Sequence, residues 1–173
     1  MKMQHWMLLS KHFLNLFDLF LQALRGCLEP SGGKMSAPIR RQVLPMLINL
    51  VSHAEDTSRS AASGCLGAFC KWLPDEDLAN VIDDILLNSS GSDEQWQAKH
   101  GRSAALYVAL KDAPERICAQ DHRSKIVTNV KALLGSDVVA LAQNGVRATG
   151  YYFLYLLKQN EDLPKDLITP FCK

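Results

Sequence analysis

One short pattern of small residues occurs three times in this chain of 173 residues. In one-letter code the pattern is D-x4-A-x2-G-x2-[GA]-x5-L, and its copies begin 37 and then 44 residues apart. Its acidic and glycine positions are Asp56, Gly64, Gly67, Asp93, Gly101, Asp137 and Gly145. Glycine inside a helix lowers its stability by about 1 kcal/mol relative to alanine. Glycines at matching positions therefore indicate that neighbouring helices pack closely there. We therefore expect the chain to fold as a stack of similar helical units.

Apolar residues recur along the chain at the three- and four-residue spacing of helices, and strand signals are scarce. Several predicted helix starts carry an acidic residue that can accept free backbone N–H groups. These residues are Asp56, Asp75, Asp93 and Asp137. Helix-breaking and helix-capping residues predict helices near 7–28, 37–52, 56–73, 75–88, 93–112, 122–134 and 137–158, with a further one beginning at 165.

Two-helix units that recur at about 40–47 residues are typical of HEAT-like repeats, which stack into an α-solenoid. The sequence thus predicts an all-α solenoid of about three full helix pairs, with partial repeats at both ends. The inner helices are expected near 56–73, 93–112 and 137–158. The ends of a solenoid normally carry polar capping repeats, whereas both ends of this chain look like incomplete repeats. Residues 20–173 are therefore predicted to be a fragment of a longer array.

Charge and cysteine content narrow the class of protein. The chain has 19 Lys plus Arg against 18 Asp plus Glu, which argues against general binding to nucleic acids. Its five cysteines are odd in number and form no CxxC pair, so neither a disulfide framework nor a zinc site is indicated. No uncharged apolar run reaches the length of a membrane span. We expect a cytoplasmic protein without cofactor or metal.

Catalytic motifs are mostly missing: the sequence contains no HExxH, GxSxG or GxGxxG. The acidic pair Asp83-Asp84 is interpreted as part of a solvated helix face. No catalytic residue is assigned, and we expect no enzymatic activity. A thiol-dependent hydrolase that uses Cys65 or Cys118 is the alternative from the enzyme class.

Cations on the predicted inner helices are the candidate binding residues. The run Lys99-His100-Gly101-Arg102 lies between Trp96 and Tyr107. Arginine beside aromatic side chains is typical of interaction hot spots, and inner helices line the concave surface that solenoids use for binding. The candidate partner contacts are Arg59, Lys99, Arg102 and Arg147. For Arg59 and Arg147, pairing with a neighbouring Asp along the stack is an open alternative.

Residues 20–173 also resemble a known family, the C-terminal region of the giant eukaryotic general-control translational activator, a HEAT-repeat protein. The stretch 53–70 contains Ser-Gly-Cys-Leu-Gly, and the stretch 96–109 contains His-Gly-Arg-Ser. Residues 113–119 and the run Gly145-Val-Arg147 are similar as well. Residues 1–19, the divergent start of the first predicted helix, match less well.

The resemblance implies a non-enzymatic scaffold that activates the kinase of translation initiation factor 2 alpha on stalled ribosomes. It places the protein in the integrated stress response to amino-acid starvation, associated with polysomes. It implies that this region binds the RWD domain of the kinase, whereas the ribosome is bound by parts of the family's protein absent here. The alternative is a purely structural solenoid spacer within a larger translation-associated scaffold.

Overall fold

The computed structural model describes residues 19–28, 30–31, 33–88 and 95–169, and every regular element in these ranges is helical. The first helix, α1, covers residues 19–28 of the described part. The longer helices that follow are α2 (Ala37–Leu50), α3 (Asp56–Phe69), α4 (Asp75–Val81), α5 (Trp96–Asp112), α7 (Arg123–Leu134) and α8 (Val139–Lys158). Two four-residue helices are α6 (Pro114–Ile117) and α9 (Lys165–Ile168). The predicted all-α class is confirmed.

Most predicted boundaries agree with these helices within a few residues. Helix α4 continues as a π-helical turn over Ile82–Leu86, which the periodicity did not predict. A separate short helix, α6, and a 3₁₀ turn over Gln120–His122 fill the connection before α7. The predictions for residues 1–18 and for the helix start at Asp93 lie outside the described residues.

The helices form two layers. Helix α5 packs along α3 on one side and along α8 on the other, so these three are the inner helices. Helix α2 packs on α3, α7 packs on α8, and the π-helical turn after α4 packs on α5. The outer and inner members alternate along the chain, as in the predicted stack of helix pairs.

A continuous hydrophobic core lies between the two layers. It takes Leu47 from α2, Leu66 from α3, Leu106 from α5 and Ile126 from α7, each of them fully buried. Tyr152 of α8 is buried at the far end of the same core. Removal of this apolar surface from water is the main force that holds the layers together.

The repeated glycines lie where helices approach closely. A methyl group at Gly101 would overlap the backbone carbonyl oxygen of Val51, at the end of α2. At Gly67 a Cβ atom would be 2.6 Å from Cβ of Val108, and at Gly145 it would be 2.9 Å from Cβ of Leu133. The neighbour of Gly64 is instead the flexible end of the Arg25 side chain, at 3.1 Å. The close packing that the pattern predicts thus occurs at Gly101 and Gly145, the central glycines of the second and third copies.

The N-terminal cap of α3 is Glu55 rather than Asp56. The Glu55 carboxylate accepts a hydrogen bond from the backbone N–H of Ser58 at 2.9 Å and another from the hydroxyl of Thr57. The hydrogen bonds from Thr57 and Ser58 lower the pKa of Glu55 to about 2. Asp56 occupies the first helical position and pairs with Arg59 instead.

Arg116 joins α6 to the end of α3. Its guanidinium donates to the carbonyl oxygens of Cys70, Lys71 and Leu73 at 2.9, 3.0 and 2.6 Å. It also donates to the carboxylate of Asp75 at 2.7 Å. These carbonyls lie in the connection that follows α3, whereas Leu66, Ala68 and Phe69 near the end of the helix accept from backbone N–H groups. This one side chain therefore fixes the connection between α3 and the start of α4.

One ion pair joins each outer helix to the next. Arg40 of α2 lies 3.0 Å from Asp77 of α4, and Lys125 of α7 lies 2.7 Å from Asp83 in the π-helical turn. Lys131 of α7 lies 3.1 Å from Asp166 of α9. We call these three pairs the outer ion pairs. Because their side chains are between 22% and 66% exposed, each pair contributes only about 0–1 kcal/mol.

Candidate interaction surface

The four candidate cations lie on three neighbouring inner helices. Arg59 is on α3, Lys99 and Arg102 are on α5, and Arg147 is on α8. Arg59 is buried, Lys99 and Arg102 are half-buried, and Arg147 is exposed. The four side chains are therefore presented to a partner to very different degrees.

Arg59 holds neighbouring elements together instead of facing solvent. Only 1% of its side chain is exposed, and its guanidinium donates to the carbonyl oxygens of His53 and Ala54 at 2.8 and 3.0 Å. It also pairs with Asp56 and donates through Nε to Nδ1 of His100 at 3.2 Å. A partner cannot reach this side chain. Its carboxylate partner, Asp56, is in the same helix, so the pair does not run along the stack as the alternative expected.

Trp96 lies over Arg59 at the start of α5. The Arg59 guanidinium carbon is 5.3 Å from the centre of the Trp96 ring, a cation–π distance. The His100 ring is 6.0 Å from the Trp96 ring and tilted by 60°. The Trp96 side chain is nevertheless 45% exposed. A large aromatic side chain is thus held by buried groups while part of it faces solvent.

His100 lies where the three inner helices meet. Its Nδ1 accepts the hydrogen bond from Arg59, and its backbone oxygen accepts from Ser103 Oγ at 2.9 Å and from Asn144 Nδ2 at 3.3 Å. Burial lowers the pKa of His100, and the charges of Arg59 and Arg147 lower it further, against the opposing charge of Asp56. The imidazole is therefore neutral at pH 7, with its proton on Nε2.

Arg147 reaches from α8 across to α5. Its guanidinium carbon is 5.4 Å from the centre of the Tyr107 ring, and its Nη1 donates to Asn144 Oδ1 at 3.4 Å. Asn144 is buried and donates to Ser103 Oγ at 3.0 Å. The charge of Arg147 is exposed, but its position is set by the aromatic ring and the amide.

The structure brings five side chains into one group: Arg59, Trp96, His100, Tyr107 and Arg147. We call this group the inner cluster. Its α5 members lie at positions i, i+4 and i+11, on one helical stripe. Lys99 borders the stripe, whereas Arg102 is six residues from Trp96 and points to the other side of α5. The structure therefore places Arg147 beside the aromatic residues that flank Lys99 and Arg102 in the sequence, whereas Arg102 lies on a different face. The partner contacts of these cations stay predictions.

Asn144 and Ser103, which are buried and hydrogen-bonded to members of the inner cluster, were missed in the sequence. Asn144 follows His100 by 44 residues, the same interval that separates Gly101 from Gly145. The two residues therefore occupy equivalent positions of neighbouring repeats, and this register was the signal that could have identified Asn144. Serine at position 103 gave no comparable signal.

Burial argues against the thiol-dependent alternative. Cys65 and Cys118 are buried, and the pKa of each thiol is raised to about 12, chiefly by burial. The thiolate is the nucleophilic form of cysteine, and at pH 7 these thiols are almost entirely protonated. Neither residue has the electrostatic environment of a catalytic cysteine.

The described ranges contain neither a membrane-spanning helix nor a cluster of metal ligands. None of the helices there is both long and apolar enough to cross a bilayer. In the same residues, no three side chains of His, Cys, Asp or Glu converge as metal ligands would.

A family of HEAT repeats, described as stalled ribosome sensor GCN1-like, matches residues 15–173. The chain belongs to the GCN1-like family of HEAT-repeat proteins. The match covers all described helices of both layers, so the predicted α-solenoid of HEAT-like helix pairs is confirmed. The family resemblance stated from the sequence is confirmed as well, and it extends five residues further toward the N-terminus.

Two mammalian GCN1-like relatives are similar over most of the chain. The stalled ribosome sensor GCN1 of Mus musculus is 37% identical over 139 residues, which are 80% of this chain. The protein of the same name from Homo sapiens is 35% identical over 158 residues, or 90% of this chain. Protein ILITYHIA of Arabidopsis thaliana is 23% identical over 151 residues. The chain spans only 5% or 6% of the length of these relatives. No solved structure gives a significant match.

Proposed function

We propose that this chain is a non-enzymatic scaffold segment of a stalled-ribosome sensor that binds the RWD domain of the kinase of initiation factor 2 alpha. In this proposal it supports kinase activation in the cytoplasm, on polysomes, during amino-acid starvation. Ribosome contacts belong to other parts of the sensor. The observation that carries the binding role is the inner cluster, where Trp96 and Arg147 are exposed yet held in place.

The chemistry of the inner cluster suits a partner surface that carries carboxylates. Arg147 offers a guanidinium whose orientation is set by Tyr107, and Trp96 offers apolar area beside it. Tryptophan and arginine are the residues most enriched among binding hot spots. Because the buried Arg59 restrains Trp96, less side-chain entropy is lost when a partner binds. Half-buried Lys99 adds a second cation at the border of the stripe.

A binding measurement with the isolated RWD domain tests this proposal. Titration calorimetry at about 50 mM and about 500 mM salt compares the unchanged chain with Arg147→Ala and Trp96→Ala. Each substitution is expected to weaken binding by about tenfold or more, with the Arg147 effect shrinking at high salt.

Lys131→Ala is the matched control, since it removes an exposed cation from an outer helix. Arg102→Ala tests the opposite face of α5 and is expected to bind normally. If Arg147→Ala and Trp96→Ala bind like the unchanged chain while circular dichroism shows intact helices, the inner cluster is not the contact surface.

A second candidate function, a structural spacer, is favoured by the exposed apolar residues of α8. Val146 and Leu154 there are 49% and 54% exposed. In the register of the repeat, Leu154 corresponds to Leu73 and Leu110, which are 2% and 1% exposed. A spacer would use this apolar face against further repeats and would leave the inner cluster without a partner. A folded chain that shows no RWD binding in the calorimetry supports the spacer.

A further inference from the structure

We propose that His100 is a proton-sensitive latch between the inner helices, which is closed when the imidazole is neutral and opens when it is protonated. The inference goes beyond the proposed function, because it concerns how the inner helices are joined. It rests on the contacts of His100 and on the burial of Arg59.

The closed form depends on an acceptor at Nδ1. Arg59 Nε donates to this atom across the boundary between α3 and α5, at 3.2 Å. Arginine remains charged at every accessible pH and has no acceptor of its own. A protonated imidazole carries hydrogen on both nitrogens, so the two groups would then face each other as donors. The hydrogen bond is lost, and two positive charges come into contact.

Arg59 has no room to move away without cost. Its other donors are bound to His53, Ala54 and Asp56, and its side chain is 1% exposed. A buried cation that loses a partner carries a penalty that an exposed one avoids through water. The imidazole is therefore the group that has to move. Its ring lies against Trp96, and the backbone oxygen of His100 accepts the Asn144 hydrogen bond that joins α5 to α8.

The charged groups around His100 favour its neutral form. From α3 it faces Arg59 and Asp56, and from α8 it faces Arg147. The two cations and the burial of the ring outweigh the single carboxylate, so the pKa of His100 lies below its ordinary value of 6.5. A depressed folded-state pKa means that stability is full above pH 6.5 and is lost as pH falls through the folded-state value.

Local opening of the α3–α5 boundary is the quantity to measure. Hydrogen exchange of the full chain, corrected for intrinsic rates, is followed over residues 56–69 and 96–112 at about pH 7.5 and about pH 5.5. Protection is expected to fall at the lower pH by up to about tenfold, because pH 5.5 lies about one unit below the ordinary histidine pKa of 6.5. The imidazole titration by NMR should show a midpoint below 6.5, and the Trp96 indole N–H signal should move with it.

His100→Gln separates the latch from general acid effects. The glutamine amide oxygen can accept from Arg59 but does not titrate, so protection should stay the same at both pH values. His122→Gln, which removes a histidine at the start of α7, is the matched control and should keep the acid response. A His100 midpoint at or above 6.5, or an equal acid response in His100→Gln, overturns the proposal. If His100→Gln does not fold, the titration of the unchanged chain decides alone.

Discussion

At the scale of single residues, the glycines of the repeat differ in what their neighbours allow. The neighbour of Gly101 is a backbone carbonyl oxygen, that of Val51, which cannot rotate away. The neighbour of Gly64 is the end of a flexible arginine side chain. Nothing lies within 4 Å of a Cβ atom at Gly150, on the exposed side of α8. The same residue type therefore has three different structural roles.

This difference predicts opposite effects of alanine substitution. Gly101→Ala should destabilise the chain by about 1–3 kcal/mol, because the added methyl group pushes α5 away from α2. Gly150→Ala is the matched control and should stabilise it by about 0.5–1 kcal/mol, since alanine favours the helix and meets open space. Urea unfolding followed by circular dichroism measures both. Equal stabilities of the two variants would contradict the assigned role of Gly101.

The contacts of individual side chains could be predicted only in part from the sequence. Arg59 and Arg147 are both cations on predicted inner helices, yet one is buried and the other is exposed. The difference depends on how α3 and α8 are rotated relative to α5. Periodicity fixes which residues share a stripe, but it does not fix which stripe meets which neighbour.

At the scale of helices, Arg116 joins backbone groups from another repeat. It donates to three carbonyl oxygens in the connection after α3 and pairs with Asp75. Sequence reasoning identified the helices around it but not this contact, because its partners are 41 to 46 residues away. Helix positions were predictable from local spacing, whereas contacts across repeats were not.

Loss of Arg116 should therefore cost more than loss of another surface cation. Arg116→Ala is expected to destabilise the chain by about 2–3 kcal/mol, since charge-assisted hydrogen bonds to buried carbonyls are lost. Arg116→Lys should recover only part of this, because one ammonium group cannot replace the planar fork.

Lys125→Ala provides the comparison, since it breaks a single exposed ion pair and should cost no more than about 1 kcal/mol. Thermal and urea unfolding give the three values. If Arg116→Ala lowers the free energy of unfolding as little as Lys125→Ala does, water replaces Arg116 as the donor to these carbonyl oxygens.

At the scale of the whole molecule, the exposed apolar residues of α8 predict how the isolated chain behaves. Exposed apolar patches promote self-association. Leu154→Lys should reduce concentration-dependent association in analytical ultracentrifugation without lowering the melting temperature, because the side chain is already 54% exposed.

Leu110→Lys is the matched control at the equivalent position of α5, where the side chain is 1% exposed. It should prevent folding, because it places a charge in the core. Association of Leu154→Lys equal to that of the unchanged chain would show that this face does not drive contact between copies.

The outer ion pairs have a mechanical consequence for the stack. Each pair is weak and accessible to salt, whereas the inner helices are joined by buried packing and by the Arg59 and Asn144 contacts. Bending that lengthens the outer edge therefore costs far less free energy than bending that separates the inner helices. The stack can change its curvature as ionic strength changes while the order of its inner helices is kept.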